Sequence, residues 1–195
     1  MLKTTKLLCV SALVVLLVAL ATPSFAQVVA NDAYQVNYFS GGDGTLRIIN
    51  TGQRGSPIDG ATNHGKVCAD IYVFDSNQEM LACCSCPITA NGLRTLPSTD
   101  LLFNPLTRVP FTTGVIKIVA DAQPGTGCNP TTIVNPVEAG LRSWETHIQA
   151  AAAITETVSA SAPLTNTEQA FLGQACSFVL YLGSGQGTCR CGTGG

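Results

Sequence analysis

Hydrophobic and polar positions alternate with a period near two over much of the chain before residue 122, in short runs separated by glycine, proline, asparagine and aspartate. The segment Val67–Phe74 is the clearest run. Val67, Ala69, Ile71 and Val73 fall on one face, and Cys68, Asp70, Tyr72 and Phe74 on the other. Tyr34–Phe39 and Thr45–Asn50 flank the turn cluster Gly41-Gly42-Asp43-Gly44, and this spacing predicts a hairpin. A glycine-rich loop, Thr51–Gly65, precedes Val67. Asp75–Gln78 has turn chemistry, because Asp and Asn side chains bond nearby backbone, and Glu79–Cys84 returns as a strand. Gly114–Asp121 is the last clear strand of this half. The pattern predicts a mainly β fold of sandwich-like antiparallel sheets.

The second half is less uniform. A Pro/Gly/Asn/Thr loop from Gln123 to Pro136 holds Cys128, and a strand is expected within Val137–Ile148, where Arg142, Trp144, Thr146 and Ile148 alternate with Ser143, Glu145 and His147. Ala150–Ala162 has no clear pattern, although its alanines favour helix. Thr165 and Glu168 then form a capping box. Phe171, Leu172, Ala175, Phe178, Val179 and Leu182 follow at helical spacing, and Gly183 supplies a stop. These features predict a C-terminal α-helix over 166–182. The Gly/Cys-rich tail 183–195 is expected to fold back and join Cys189 or Cys191 to Cys176. No period of 20–50 residues recurs, so residues 27–195 read as a single β-rich domain closed by this helix.

Residues 1–26 read as a signal peptide. Lys3 and Lys6 precede the apolar run Leu7–Ala21, and Pro23 then leads to the small-x-small site Ser24-Phe25-Ala26. The run has 15 residues, fewer than the roughly 20 that span hydrocarbon as a helix, and no stop-transfer segment follows. Cleavage after Ala26 exposes Gln27. Cys9 lies inside the apolar run, whereas a lipid-bearing cysteine follows such a run at the cleavage point. The expectation is therefore export without stable membrane insertion, to the periplasm, cell surface or medium. No Asn-x-Ser/Thr acceptor site occurs, which favours a bacterial source.

Composition narrows the partners. Ten Lys and Arg stand against 12 Asp and Glu in 195 residues, for a net charge of −2, and no basic cluster offers a footprint for nucleic acid. Losing Lys3 and Lys6 with the signal peptide makes the charge −4. A hydrophobic share of 46% excludes global disorder. Protein or glycan partners at a surface remain.

Eight of the nine cysteines lie beyond Cys9: Cys68, Cys83, Cys84, Cys86, Cys128, Cys176, Cys189 and Cys191. An even number in an exported chain points to four disulfides, and eight cysteines allow 105 pairings. Cys83 and Cys84 face opposite sides of an extended segment, so they require different partners. The clusters Cys83-Cys84-Ser85-Cys86 and Cys189-Arg190-Cys191 also raise a thiolate metal site. Their spacing departs from that of zinc fingers. Cys83 and Cys86 fit C-x-x-C formally, but no helical pattern follows Pro87.

The catalytic alternatives are few. His64 and His147 are the only histidines, so a hydrolase using an imidazole base must use one of them. Ser143, Glu145 and His147 share a strand face, where the ordinary reading is a polar face rather than a converging triad. The acidic residues are scattered, and the Gly41–Gly44 turn lacks a calcium-loop pattern. Trp144 is expected to pack in the core. With no catalytic, cofactor or metal residues assigned, the leading expectation is a non-catalytic structural, surface or binding role.

Overall fold

The computed structural model describes residues 33–40, 44–53, 65–101, 112–122, 127–133, 140–150, 153–181 and 189–194. The strands are β1 (Tyr34–Ser40), β2 (Thr45–Asn50), β3 (Val67–Asp75), β4 (Met80–Ile88) and β5 (Leu93–Pro97), followed by β6 (Thr113–Asp121), β7 (Leu141–Ala150), β8 (Ala153–Val158), β9 (Ala160–Ser161) and β10 (Thr193–Gly194). A short helix α1 (Ser98–Leu101) follows β5, and α2 (Asn166–Tyr181) precedes the tail. Two antiparallel five-stranded sheets result. Sheet A runs β4-β3-β6-β1-β9 and sheet B runs β10-β5-β2-β7-β8. The fold is thus mainly β with a C-terminal helix, as the alternation predicts.

The sheets meet over one apolar core. Leu46 and Ile48 of β2 and Leu96 of β5 oppose Phe39, Val67, Ile71, Ile116 and Ile118 of sheet A, all at most 1% exposed. Each such side chain contributes about 1.5–3 kcal/mol through removal from water. A second, smaller core lies on the far side of sheet A, where Tyr34, Tyr72, Phe74, Cys83 and Val119 meet Ile133, Leu172 and Cys176. Sheet A is therefore the middle layer between sheet B and α2. This explains why both faces of β3 are buried although the sequence alternates: the second face carries residues that a helix and a loop cover.

Three sequence expectations change. The hairpin predicted between β1 and β2 does not form, because β1 pairs with β6 and β9 while β2 pairs with β5 and β7. Alternation shows that Phe39, Leu46 and Ile48 point into one core. It does not say whether two strands are neighbours in a sheet or face each other across it. Strand β4 continues through Pro87, which is tolerated because β4 is an edge strand and needs no ladder donor there. Within Ala150–Ala162, which shows no clear pattern in the sequence although alanine favours helix, Ala153–Val158 and Ala160–Ser161 form β8 and β9, with β8 completing an antiparallel pair with β7. Gly114 marks the tightest approach inside sheet A, where a Cβ would lie 2.1 Å from the Phe74 carbonyl oxygen and 2.4 Å from the Phe39 ring.

Candidate functional site

The cysteines define the most constrained part of the molecule. Cys68 pairs with Cys128, Cys83 with Cys176, Cys84 with Cys189 and Cys86 with Cys191, with Cα separations of 5.2–5.8 Å, inside the usual disulfide range. On the outer face of sheet A, Cys68 holds the 127–133 segment and Cys83 holds α2. On the inner face, Cys84 and Cys86 hold the tail, which continues into β10 and joins sheet B beside β5. Adjacent Cys83 and Cys84 thus serve opposite faces, as extended geometry requires. The expected link from Cys176 to Cys189 or Cys191 is corrected, since α2 and the tail lie on opposite sides of β4.

This pairing also disposes of the thiol chemistry raised by the two clusters. Every sulfur of Cys83, Cys84, Cys86, Cys189 and Cys191 is bonded to another cysteine, so none is a thiolate ligand in this state. Among the described residues no group of three or more His, Cys, Asp or Glu is arranged to hold a metal ion. Cys83 and Cys86 do not pair with each other.

Strand β7 places Ser143, Glu145 and His147 inward, at 1%, 0% and 3% exposure. Ser143, Glu145 and His147 are its buried face, and the opposite face carries exposed Arg142 and Ile148, half-buried Trp144 and Thr146, which its neighbours bury to 8%. The expectation for Trp144 is corrected accordingly: it is partly exposed on the outer face of sheet B, opposite Arg47 and Val158. Ser143 donates to Gln35 Oε1 at 2.6 Å and lies 2.7 Å from the Ser159 hydroxyl, while Gln35 Nε2 donates to the Leu141 carbonyl at 2.7 Å. His147 stacks on Tyr38 with ring centroids 4.5 Å apart. Ser143 and His147 are four residues apart on one strand, about 13 Å at the usual rise. A nucleophile and its base must approach to about 3 Å, so these residues form no triad. They tie the sheets together instead. His64 lies outside the described residues, as do residues 1–26 and the Gly41–Asp43 turn.

No protein-family model, curated protein or solved structure matches this chain.

Sequence reasoning missed a buried acid on the far side of sheet A. Asp70 of β3 and Asp121 of β6 are both fully buried. Asp70 accepts a hydrogen bond from Ser85 through Oδ1, and its Oδ2 has no hydrogen-bond partner among the described residues. Burial pushes its carboxyl up to about 8; the Ser85 bond opposes that rise and the nearby Asp121 carboxylate adds to it. Tyr72, whose hydroxyl donates to the Pro130 carbonyl at 2.8 Å, is also pushed up, by burial and then by Asp70 and Asp121. Asp70 occupies a position in the alternation of β3 that is ordinarily solvated. Only the covering layer reverses that meaning.

Helix α2 is seated by polar contacts at its first turn. Thr165 Oγ1 accepts from the Glu168 backbone N–H at 3.1 Å, which is one half of the expected capping box. The Glu168 carboxylate turns to the sheet instead, 2.6 Å from Lys117 Nζ and 3.1 Å from the Tyr34 hydroxyl. Leu172 and Cys176 face the sheet, while Phe171 and Phe178, which the spacing places with the apolar stripe, are 46% and 65% exposed. Gly173 lets the helix approach the loop, since a Cβ there would lie 2.8 Å from the Thr131 carbonyl oxygen. An open groove of about 390 Å³ runs between Thr131–Ile133 and the helix face of Asn166, Gln169 and Ser177.

Sheet B differs on its outer side. Leu93, Ile148, Ile154 and Val158 are 42%, 47%, 66% and 73% exposed. Ile148 lies opposite Ile154, and Trp144 opposite Val158, so two apolar cross-strand pairs face solvent. Between them Arg47 Nη1 lies 3.0 Å from Glu156 Oε1. Leu93, Ile148, Ile154 and Val158 leave apolar surface of sheet B open to solvent among the described residues.

Proposed function

We propose that this chain is an exported, disulfide-stabilised protein of a single β-rich domain over residues 27–195, with a binding role at a surface and no catalytic one. The observation that carries the reading is a division of chemistry between its faces. Asp70, Asp121, Glu145 and His147 are packed inside, whereas the accessible side of sheet B presents Leu93, Ile148, Ile154 and Val158 around the Arg47–Glu156 pair. Four disulfides fit an oxidising compartment, which supports export and gives the Leu7–Ala21 run its meaning as a leader. Among the described residues no helix is long and apolar enough to cross a membrane. A hydrolase built on Ser143, Glu145 and His147 is disfavoured by their spacing.

Fractionation of cells expressing the full chain, followed by intact mass, tests the reading. The expected result is protein in the periplasm, at the surface or in the medium, beginning at Gln27. Retention in the cytoplasm with residues 1–26 intact would overturn export. Turnover of an ester, glycoside or peptide probe that His147→Ala abolishes would overturn the non-catalytic role.

A further inference from the structure

Four strands end the two sheets, and three of them are blunted. β9 and β10 are two residues each, and β4 carries Pro87 and meets the tail, with the Cys189 N–H donating to the Cys83 carbonyl at 3.3 Å. The fourth is β8. It runs six residues, Ala-Ile-Thr-Glu-Thr-Val, and among the described residues only β7 pairs with it. Five of the six are exposed and Thr157 is half-buried. It contains no lysine or proline, which ordinarily help keep an edge from acquiring another strand, and the register shift of its pairing with β7 falls between Ile148 and Ala150, leaving Ile154–Val158 in regular register.

The outward face of β8 has a definite chemistry: apolar at Ile154, acidic at Glu156, apolar at Val158. Glu156 Oε1 takes the hydrogen bonds of both Arg47, at 3.0 Å, and Thr146, at 3.3 Å. The side chain remains 55% exposed, which leaves Oε2 for a second cation. An added strand would set one side chain opposite each of these three positions. Opposite charges across a pair of strands stabilise it and like charges destabilise it. A second copy of β8, in the antiparallel register that matches Ile154 with Val158, sets Glu156 against its own counterpart. Charge complementarity therefore favours a different occupant.

We propose that β8 is a docking edge for an extended segment of a partner protein that reads apolar-x-basic-x-apolar, added to sheet B as a sixth strand. The partner's backbone supplies the ladder. Its two apolar side chains extend the Ile148–Ile154 and Trp144–Val158 rows, its Lys or Arg meets Glu156, and its intervening residues lie beside Thr155 and Thr157. This specifies the partner class for the binding role proposed above and rests on that reading.

The test uses two capped heptapeptides, TVTKTVT and TVTETVT, titrated into the isotopically labelled, disulfide-bonded chain with amide chemical shifts as the readout. The lysine peptide is expected to shift β8 and β7 amides, and the glutamate peptide to bind about five- to tenfold more weakly, as cross-strand charge pairs imply. Glu156→Lys is expected to invert that preference and Glu156→Gln to erase it, with the spectrum of sheet A unchanged in both. Absence of β8 shifts at millimolar peptide, or equal binding of the two peptides to the natural chain, would overturn the proposal. So would β8 shifts that follow protein concentration and resist the lysine peptide, which would give the edge to a second copy. Cytoplasmic retention or catalytic turnover contradicts the broader reading without altering these titrations.

Discussion

Sheets A and B have five strands each and share one core, yet their outer faces have opposite fates. Sheet A is covered by α2 and the 127–133 segment, and disulfides leave it from both faces: Cys68 and Cys83 outward, Cys84 and Cys86 inward. Sheet B leaves Ile154 and Val158 largely exposed and ends in an unblunted strand. Under the proposed binding role, the difference separates stability from recognition. Polar groups buried in sheet A cost free energy unless neutralised or hydrogen-bonded, which is tolerable where disulfides restrict the unfolded chain. Apolar groups exposed on sheet B cost little in the isolated chain and are available to a partner.

The contrast is broken most severely by reduction. The disulfides span 60, 93, 105 and 105 residues, and each is worth about 2–4 kcal/mol. Reduction of all four is expected to abolish cooperative unfolding, measured by near-ultraviolet circular dichroism in denaturant. Persistence of the native transition after complete reduction would remove the disulfides from the account.

The next effect concerns pH. Asp70 titrates near 8 in the folded chain and near 4 when unfolded, so between these values the unfolded state has lost a proton that the folded state keeps. Stability therefore falls as pH rises from 4 to 8 and levels off above 8. Asp70→Asn removes this penalty: little change is expected at pH 4, and at pH 8 a gain with a ceiling on the order of 5 kcal/mol. Parallel stability curves for the two proteins across that range would contradict the assignment.

Smaller effects sharpen the comparison side chain by side chain. Leu172→Ala, beneath α2, is expected to cost about 2–5 kcal/mol through the lost contacts and the cavity left behind. Val158→Thr on the open face of sheet B is expected to stay within about 0.5 kcal/mol, because little surface there leaves water on folding. Chemical denaturation of the two variants measures both. Similar costs would mean that the outer face of sheet B is covered in the folded protein.

How much of this was legible depends on whether the signal was local. The strands β3 and β6 and the helix α2 follow from periodicity and from Thr165 at the helix start, and four cross-links follow from an even cysteine count. Strand neighbours were not legible, because Phe39 and Leu46 show the same inward alternation whether their strands pair in one sheet or face each other across the core. Strand β5 was missed: Arg94 and Thr95 give Leu93–Pro97 a weak apolar signal, with Leu96 its only fully buried residue. The burial of Asp70 and of Ser143, Glu145 and His147 was also hidden. In each case a polar residue at an alternating position takes its environment from a second layer contributed by a distant segment. The exposure of Phe171 and Phe178 shows the converse, since helical spacing names an apolar stripe wider than the sheet surface available to bury it.

Non-reducing peptide mapping of the natively purified protein tests the central claim most directly. The account predicts four linkages, Cys68–Cys128, Cys83–Cys176, Cys84–Cys189 and Cys86–Cys191, with no unmodified thiol among these eight. Linkage of Cys176 to Cys189 or Cys191, or recovery of Cys83, Cys84 and Cys86 as thiols holding a metal, would contradict the two-sided stapling of sheet A and the separation of stability from recognition built on it.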